Sequence, residues 1–355
     1  MDEPDRKPPE EQKPLTREDV LRLIEEHGGP EGLDLSQRNL READLSEVDL
    51  HGANFQEADL RHANLQEASL SGTHLPGGHL YRANLQGGYL WLANLQGADL
   101  RRANLLGADL RYANLQEARL EGSNLNEADV RWANLQGADL REANLQGADL
   151  WSANLQGADL SEANLQGADL SRADLRRARL AYASLREASL EGASWGDYKL
   201  GEEIAGDFGQ AASAYRAVKQ RHTEAGMYDV AGEFHYREME ARRKAAWKER
   251  RLPYASAVYL PRFLYGYGER PERVIAWAAA VIFGFALGHW AFGTLTGGFL
   301  DALYYSAVSF TALGYGKWAA EPQGWAGRFL GVGESLLGVF MMALFLVTFT
   351  RKMTR

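Results

Sequence analysis

The sequence predicts a multidomain chain: an N-terminal solenoid of five-residue repeats, an α-helical connector, and an all-α C-terminal region that crosses a membrane twice. Three observations predict it. A large apolar residue falls on every fifth position from Leu35 to Leu190, which is the period of neither helix nor flat strand. After Trp195 that period stops and helix-forming sequence begins. Two apolar stretches, about Val274 to Phe292 and about Phe329 to Phe349, each approach the ~20 residues that a ~30 Å hydrocarbon layer requires. The expected boundaries are 1–30 for a tail and short N-terminal cap, 31–197 for the solenoid, 198–270 for a connector hairpin and 271–355 for the membrane region.

Composition narrows the function. Mean hydropathy is -0.38, yet Val274 to Leu300 carries no formally charged residue and one histidine, His289. There is no cysteine, so disulfides, thiolate metal sites and cysteine nucleophiles are excluded, in keeping with a reducing cytoplasm. The charged, proline-rich start lacks the apolar core of a secretory signal and reads as a disordered tail to about residue 14. A net charge of -9 argues against nucleic-acid binding, which a basic face usually marks.

The large apolar positions of the repeat are leucine except at Phe55 and Val130, and alanine usually stands two residues earlier, as at Ala53, Ala103, Ala133 and Ala163. Between them lies a polar residue: Asn at 84, 94, 104, 114, 124, 134, 144, 154 and 164, and Asp at 99, 109, 129, 139, 149, 159 and 169. Blocks such as ANLQGADL (143–150) resemble the pentapeptide-repeat family. That resemblance implies a right-handed quadrilateral β-helix with one unit per side and with leucine and alanine stacked inside. Thirty-two units would then make eight coils, about 38 Å long at the spacing of hydrogen-bonded strands. Twenty residues per coil would stack asparagines on two faces and aspartates on the other two. Pro76 breaks the consensus and marks a kink, a bulge or a tolerated corner substitution. Some family members use acidic faces to imitate DNA; against that, Asp and Asn bond local backbone at corners, and Arg101, Arg111, Arg131, Arg141 and Arg172 interrupt the acidity. No nucleophile, metal cluster or phosphate loop is visible here, so no enzyme is expected.

The connector reads as a helix near Gln210 to Glu224, a turn at Gly226 and a helix from about Asp229 to Arg250. Gly226, Tyr228 and Ala231 resemble the second half of a tetratricopeptide-type unit; a plain packing hairpin is the preferred alternative. Arg242, Arg243, Lys244, Lys248, Arg250 and Arg251 precede the first span, and Arg262, Arg270 and Arg273 with Arg351, Lys352 and Arg355 flank the pair. Both termini should therefore be cytoplasmic, in a multi-pass protein of the cell (inner) membrane. Trp277, Trp290, Trp318 and Trp325 suit the interface.

Between the spans lies DALYYSAVSFTALGYGK (301–317), which resembles the pore helix and filter of two-transmembrane potassium channels. Asp301 would cap the helix. The resemblance implies a homotetramer with a re-entrant pore helix in each subunit. Backbone carbonyls of Thr311, Ala312, Leu313, Gly314 and Tyr315, with Gly316 completing the filter, would replace the hydration shell of permeant K+. No other cofactor is implied. Ala312 stands where the family has a threonine and Lys317 where an acidic residue is usual, so a weakly selective cation channel stays open beside a potassium-selective one. Gly266, Tyr267 and Gly268 spell the same GYG but precede the first span and read as a juxtamembrane turn.

In the second span Arg328 matches a basic residue at the helix start and Gly338 matches the family's hinge glycine, with close helix packing an equal alternative. Leu346 and Thr350 would lie near the inner gate. Glu334, a carboxylate within a span, is expected to brace the filter from behind through Ser306 or Ser309. His289 reads as an interfacial residue. The partners expected are three further copies of the chain, the lipid bilayer, and a cytoplasmic protein bound by the solenoid; no nucleic acid is expected. The competing readings are a membrane-tethered adaptor with a vestigial GYG, separable by ion flux in liposomes, and a DNA mimic, separable by a gyrase assay on residues 30–195.

Overall fold

The structure, a computed structural model, describes residues 13–249, 262–311 and 324–353. The chain divides into two compact units, Met1–Met227 and Tyr228–Arg355.

In the first unit each five-residue repeat contributes one short side of a coil. Parallel bridges join every outward residue to the one twenty positions on, as in Asn64↔Asn84 and Asn84↔Asn104, or Asp109↔Asp129 and Asp129↔Asp149. A step of twenty means four repeats per coil. The inward leucines are fully buried from Leu35 to Leu165, as are alanines such as Ala53, Ala98 and Ala148. A large and a small side chain therefore alternate along the narrow interior, as close packing demands. Each leucine contributes about 2 kcal/mol of burial. Trp195 continues the phase one step beyond Leu190 and is also buried.

Every side ends in a tight turn. Ala43 N donates to Leu40 O at 3.1 Å, and Glu42, the third residue of that turn, has φ 60°. The same left-handed conformation recurs at Arg102, Tyr112 and Trp132, and at Gly137 and Gly147, where glycine adopts it without strain. This position tolerates large residues because the ladder on both sides holds it: Glu42 N reaches Arg61 O of the next coil at 3.0 Å. The unit containing Pro76 forms neither kink nor bulge. His74 bridges both Asn54 and Asn94, Leu75 is buried, and Pro76 O accepts from Glu57 N at 3.1 Å. Its missing N–H falls at a corner, where the ladder does not need it.

The ends of the coil would expose unpaired backbone, and both are covered. At the start, α1 (Arg17–His27) opens on a reciprocal capping box between Thr16 and Asp19 and closes on Gly28 at φ 84°. Arg17 Nη1 donates to Ser46 O at 2.7 Å, and Leu15 N to Asn39 O at 2.8 Å, seating the helix on the first coil. The segment expected to be a short cap thus contains an eleven-residue helix. At the far end α2 (Gly201–Ile204) and α3 (Phe208–Glu224) close the coil. Glu202 Oε1 accepts from Leu180 N at 2.5 Å, and Tyr215 OH donates to Glu203 Oε2 while accepting from Leu200 N at 3.2 Å.

The second unit holds α4 (Tyr228–Lys248), a 3-10 turn (Gly266–Gly268), α5 (Pro271–Ala291), α6 (Phe299–Phe310) and α7 (Gly324–Met353). Pro271 starts α5 at the position where a missing N–H costs nothing. α5, α6 and α7 pack against one another in all three pairings.

Candidate functional site

Among the described residues, α5 and α7 are the two helices long and apolar enough to cross a membrane, and most of each is not buried within the chain. The rest of their surface is apolar and open: Ile275, Phe283 and Leu287 on α5, and Val332, Leu336, Val339, Phe340 and Val347 on α7, are all exposed. Such a face suits lipid tails or further copies of the helices rather than water.

α6 is the short helix between them. Asp301 sits three residues in and accepts from Gly298 N at 2.9 Å, closing its first turn. Its last residue, Phe310, is buried with Val274 of α5 and Met341 of α7. Thr311 follows directly, its Oγ1 donating back to Ala307 O at 2.9 Å and Val308 O at 3.1 Å. Ala312, Leu313, Gly314, Tyr315 and Gly316, with Lys317, lie outside the described residues.

Gly338 faces the end of α6. A Cβ added there would fall 2.7 Å from the carbonyl carbon of Phe310 and 2.8 Å from its Cα. α7 continues as helix through this point from Gly324 to Met353, so the glycine's role in this structure is close approach. Farther along, Leu346 and Thr350 are exposed. Thr348, between them, is buried and bonds back to Leu344 O and Phe345 O, both at 3.0 Å.

Glu334 is fully buried, and neither carboxylate oxygen has a hydrogen-bond partner. It does not bond Ser306 or Ser309; the Ser306 hydroxyl is itself buried and unpartnered. What it meets instead is His289 of α5, whose Nε2 lies 3.7 Å from Glu334 Oε2, both side chains being 0% exposed. The histidine expected at the interface is therefore an interior residue. Its other nitrogen, Nδ1, is 2.7 Å from Thr294 Oγ1, and its ring stands edge-on to Tyr305 of α6 at 5.0 Å. The sequence offered only a general hint, that each apolar span carries a single ionisable residue and that a buried charge in lipid is costly enough to need a partner; it did not show that these two face each other.

The upstream GYG is a different object. Tyr267 takes φ 59° in a buried turn, and its hydroxyl donates to Glu240 Oε1 of α4 at 3.1 Å. Arg262 and Arg243 hold the same carboxylate, at 2.7 and 3.2 Å. Burial, with Glu240 beside it, pushes the Tyr267 hydroxyl well above the ordinary tyrosine value. This is an anchoring turn before α5.

On the solenoid the aspartates of the ladder engage their own neighbours. Asp99, Asp109, Asp129 and Asp139 pair with the arginines two residues on at 2.5 to 2.6 Å. They also accept the backbone N–H of the same arginines, as Asp109 Oδ1 does from Arg111 N at 3.2 Å. The asparagines bond coil to coil, Asn124 Nδ2 to Asn104 Oδ1 at 3.0 Å and Asn144 Nδ2 to Asn124 Oδ1 at 3.2 Å. One corner carries a run of aromatic rings. Tyr112 stacks on Trp132 at 4.8 Å, Trp132 meets Trp151 edge-on at 5.1 Å, and Arg131 and Arg172 lie over the indoles. Trp91 and Leu92 extend this exposed stripe.

Comparison with known proteins divides the chain the same way. A family model described as pentapeptide repeats matches in overlapping segments from residue 31 to residue 194, and one described as ion channel matches residues 274–355. HetL, a pentapeptide repeat protein involved in heterocyst differentiation regulation from the cyanobacterium Nostoc sp. strain PCC 7120, is 33% identical. Its match covers 52% of this chain and 95% of HetL, with a TM-score of 0.18. The pentapeptide repeat protein alr5209 from Nostoc is 30% identical over 42% of this chain and 84% of its own, with a TM-score of 0.19. QnrB1, a plasmid-mediated fluoroquinolone resistance protein, is 21% identical over 44% and 81%, with a TM-score of 0.30. No curated protein matches the chain.

Proposed function

We propose that this chain, which belongs to the pentapeptide-repeat family through its N-terminal part and carries an ion channel domain at its C-terminal end, is one subunit of a tetrameric, potassium-type cation channel. The observation that carries the reading is the seating of α6. A capped twelve-residue helix packs between two membrane-length helices and delivers Thr311 and the following ALGYG at its C-terminal end. The path through that segment is re-entrant in this reading. Four copies supply rings of backbone carbonyls from Thr311 to Tyr315 that replace an ion's water, since one chain cannot surround an ion. The partial negative charge at the end of α6 favours a cation nearby. Gly338 serves as the hinge of α7 as well as its point of close approach, Leu346 and Thr350 line the inner gate, and Glu334 braces the region behind the filter.

Both termini are cytoplasmic in this reading, so the solenoid, a right-handed quadrilateral β-helix over residues 31–197, lies on the cytoplasmic side. Its role is that of a scaffold, with 198–270 linking it to the pore. The aromatic corner, with Trp91, Tyr112 and Trp132 exposed and Trp151 half-buried beside them, supports docking of a protein partner, because flat rings with a polar edge bind at little entropic cost. The pairing of ladder aspartates with arginines weighs against a DNA-like acidic face.

The test is potassium flux from liposomes containing the purified full chain. The wild type conducts and Gly316→Asp, which places a carboxylate in the filter, conducts nothing. No flux from the wild type would leave the tethered adaptor as the standing account.

A further inference from the structure

Leu92, Tyr112 and Trp132 take the left-handed turn position on three successive coils of the solenoid, with φ 58°, 57° and 56°. Elsewhere that position holds mostly glycine or a charged residue, as at Gly107, Gly147, Glu117 and Arg102. Glycine adopts it without strain, and a charged side chain there reaches water. Three large apolar side chains gain neither advantage, and all three are exposed, as is Trp91 beside them. Strain and exposure together point to a surface kept for something outside the chain.

The polar groups of this stripe are one-sided. An indole N–H donates and never accepts. Among the described residues, the indoles of Trp91, Trp132 and Trp151 and the Tyr112 hydroxyl donate to no atom of the chain. Tyr112 stacks on Trp132 within 6° of parallel, which occupies ring faces and leaves ring edges open. The charges alongside are already balanced. Arg111 lies 2.6 Å from Asp109 and 3.5 Å from Asp129, and Arg131 lies 2.6 Å from Asp129 and 3.3 Å from Asp149. A polyanion such as nucleic acid would meet those carboxylates along with the arginines and gain little.

The complement of apolar rings with unspent donors is an extended segment rich in carbonyl acceptors and poor in N–H groups. Proline-rich chain in the polyproline II conformation has that character. The spacing agrees. That helix repeats every three residues, about 9.3 Å at ~3.1 Å per residue. The step from Leu92 to Trp132 is two coils, about 9.6 Å at ~4.8 Å per coil. A β-strand presents one face every two residues, about 6.7 Å, which falls between coils. We propose that the aromatic corner binds a proline-rich segment of a partner protein, laid along the solenoid axis. Prolyl rings pack against Trp91, Leu92 and Tyr112, and carbonyls accept from the Tyr112 hydroxyl and the indole N–H groups. The proposal rests on the reading of this corner as a docking surface and names the partner that it takes.

The experiment is fluorescence anisotropy of a dye-labelled ten-residue oligoproline titrated with the purified full-length protein. Saturable binding is expected, weakened about tenfold or more when Tyr112→Gly and Trp132→Gly are combined. Glycine already serves the same turn at Gly137 and Gly147, so the coil is retained, as circular dichroism would check. Tyr112→Phe, which keeps the ring and removes one donor, should weaken binding by about threefold. Oligoproline that binds the double variant as well as the wild type would overturn the proposal. A second probe, a ten-residue alternating threonine–glutamine peptide that favours the β-strand, needs no variant to fold. If it binds the wild type and oligoproline does not, the proline-rich partner is refuted and the corner stands as a docking surface. If neither peptide binds, both are refuted. No arm uses conduction, so the channel reading is tested separately.

Discussion

The solenoid and the membrane helices satisfy their polar and apolar surfaces in opposite ways. In the solenoid nearly every demand is met within one or two coils: leucine lies buried, corner carboxylates bond the next residues, and asparagines bond the coil beside them. The membrane helices leave large apolar faces open and a buried carboxylate without a hydrogen bond. The difference teaches that the repeat region is complete as a single chain, its stability a sum of neighbouring contacts. The membrane region leaves apolar faces on α5 and α7 that, in the proposed channel, lipid and further copies would cover.

The largest effect that would break this contrast is at Gly338. Replacing it by valine drives a side chain into the Phe310 backbone, and potassium flux should vanish while the circular dichroism of the solenoid is unchanged. Next is the solenoid core. Leu110→Ala removes a fully buried side chain and should cost about 2–5 kcal/mol, read by denaturant unfolding of the full chain. If the loss spread to the membrane helices, the independence of the two regions would be refuted.

A smaller effect separates two kinds of carboxylate within the solenoid unit. Burial pushes Glu202 above the ordinary glutamate value, although Leu180 N–H bonds it. A raised folded-state value means that the native state binds the extra proton, so the C-terminal cap should be most stable below the ordinary value and weaken as pH rises through the raised one. Glu202→Gln should flatten that limb in a pH series of melting temperatures. Asp109 has the opposite sign. The Arg111 guanidinium, opposed by desolvation and aided by the Arg111 backbone N–H, holds its carboxyl below the usual aspartate range. Its contribution is present above the ordinary value and lost as pH falls through the depressed one. The smallest effect should be Arg111→Ala, a slight drop in melting temperature for a part-exposed pair, further reduced by salt.

Much of the solenoid was legible because its constraint is one-dimensional. A five-residue period with leucine and alanine at fixed phase specifies which residues point inward, and the stacking of Asn and Asp on separate faces follows from twenty residues per coil. The left-handed corner occupied by Glu42, Tyr112 and Trp132 was not legible, since propensity there is overridden by the ladder around it. Nor was the α1 cap read as a helix, although Thr16 and Asp19 form an ordinary capping box. In the membrane region the spans could be read from length and polarity, and the short helix between them from the resemblance of residues 301–317 to two-transmembrane potassium channels. The meeting of His289 with Glu334 could not, because it depends on how two helices rotate about their axes, which an apolar sequence scarcely encodes.

The central claim is that the chain conducts cations through a filter built from Thr311 to Gly316. The direct test is the reversal potential of the purified full-length protein in a planar bilayer under opposed potassium and sodium gradients. The account predicts currents that reverse near the potassium equilibrium potential and disappear in Gly316→Asp. A bilayer that stays silent, or currents that Gly316→Asp leaves unchanged, would contradict it.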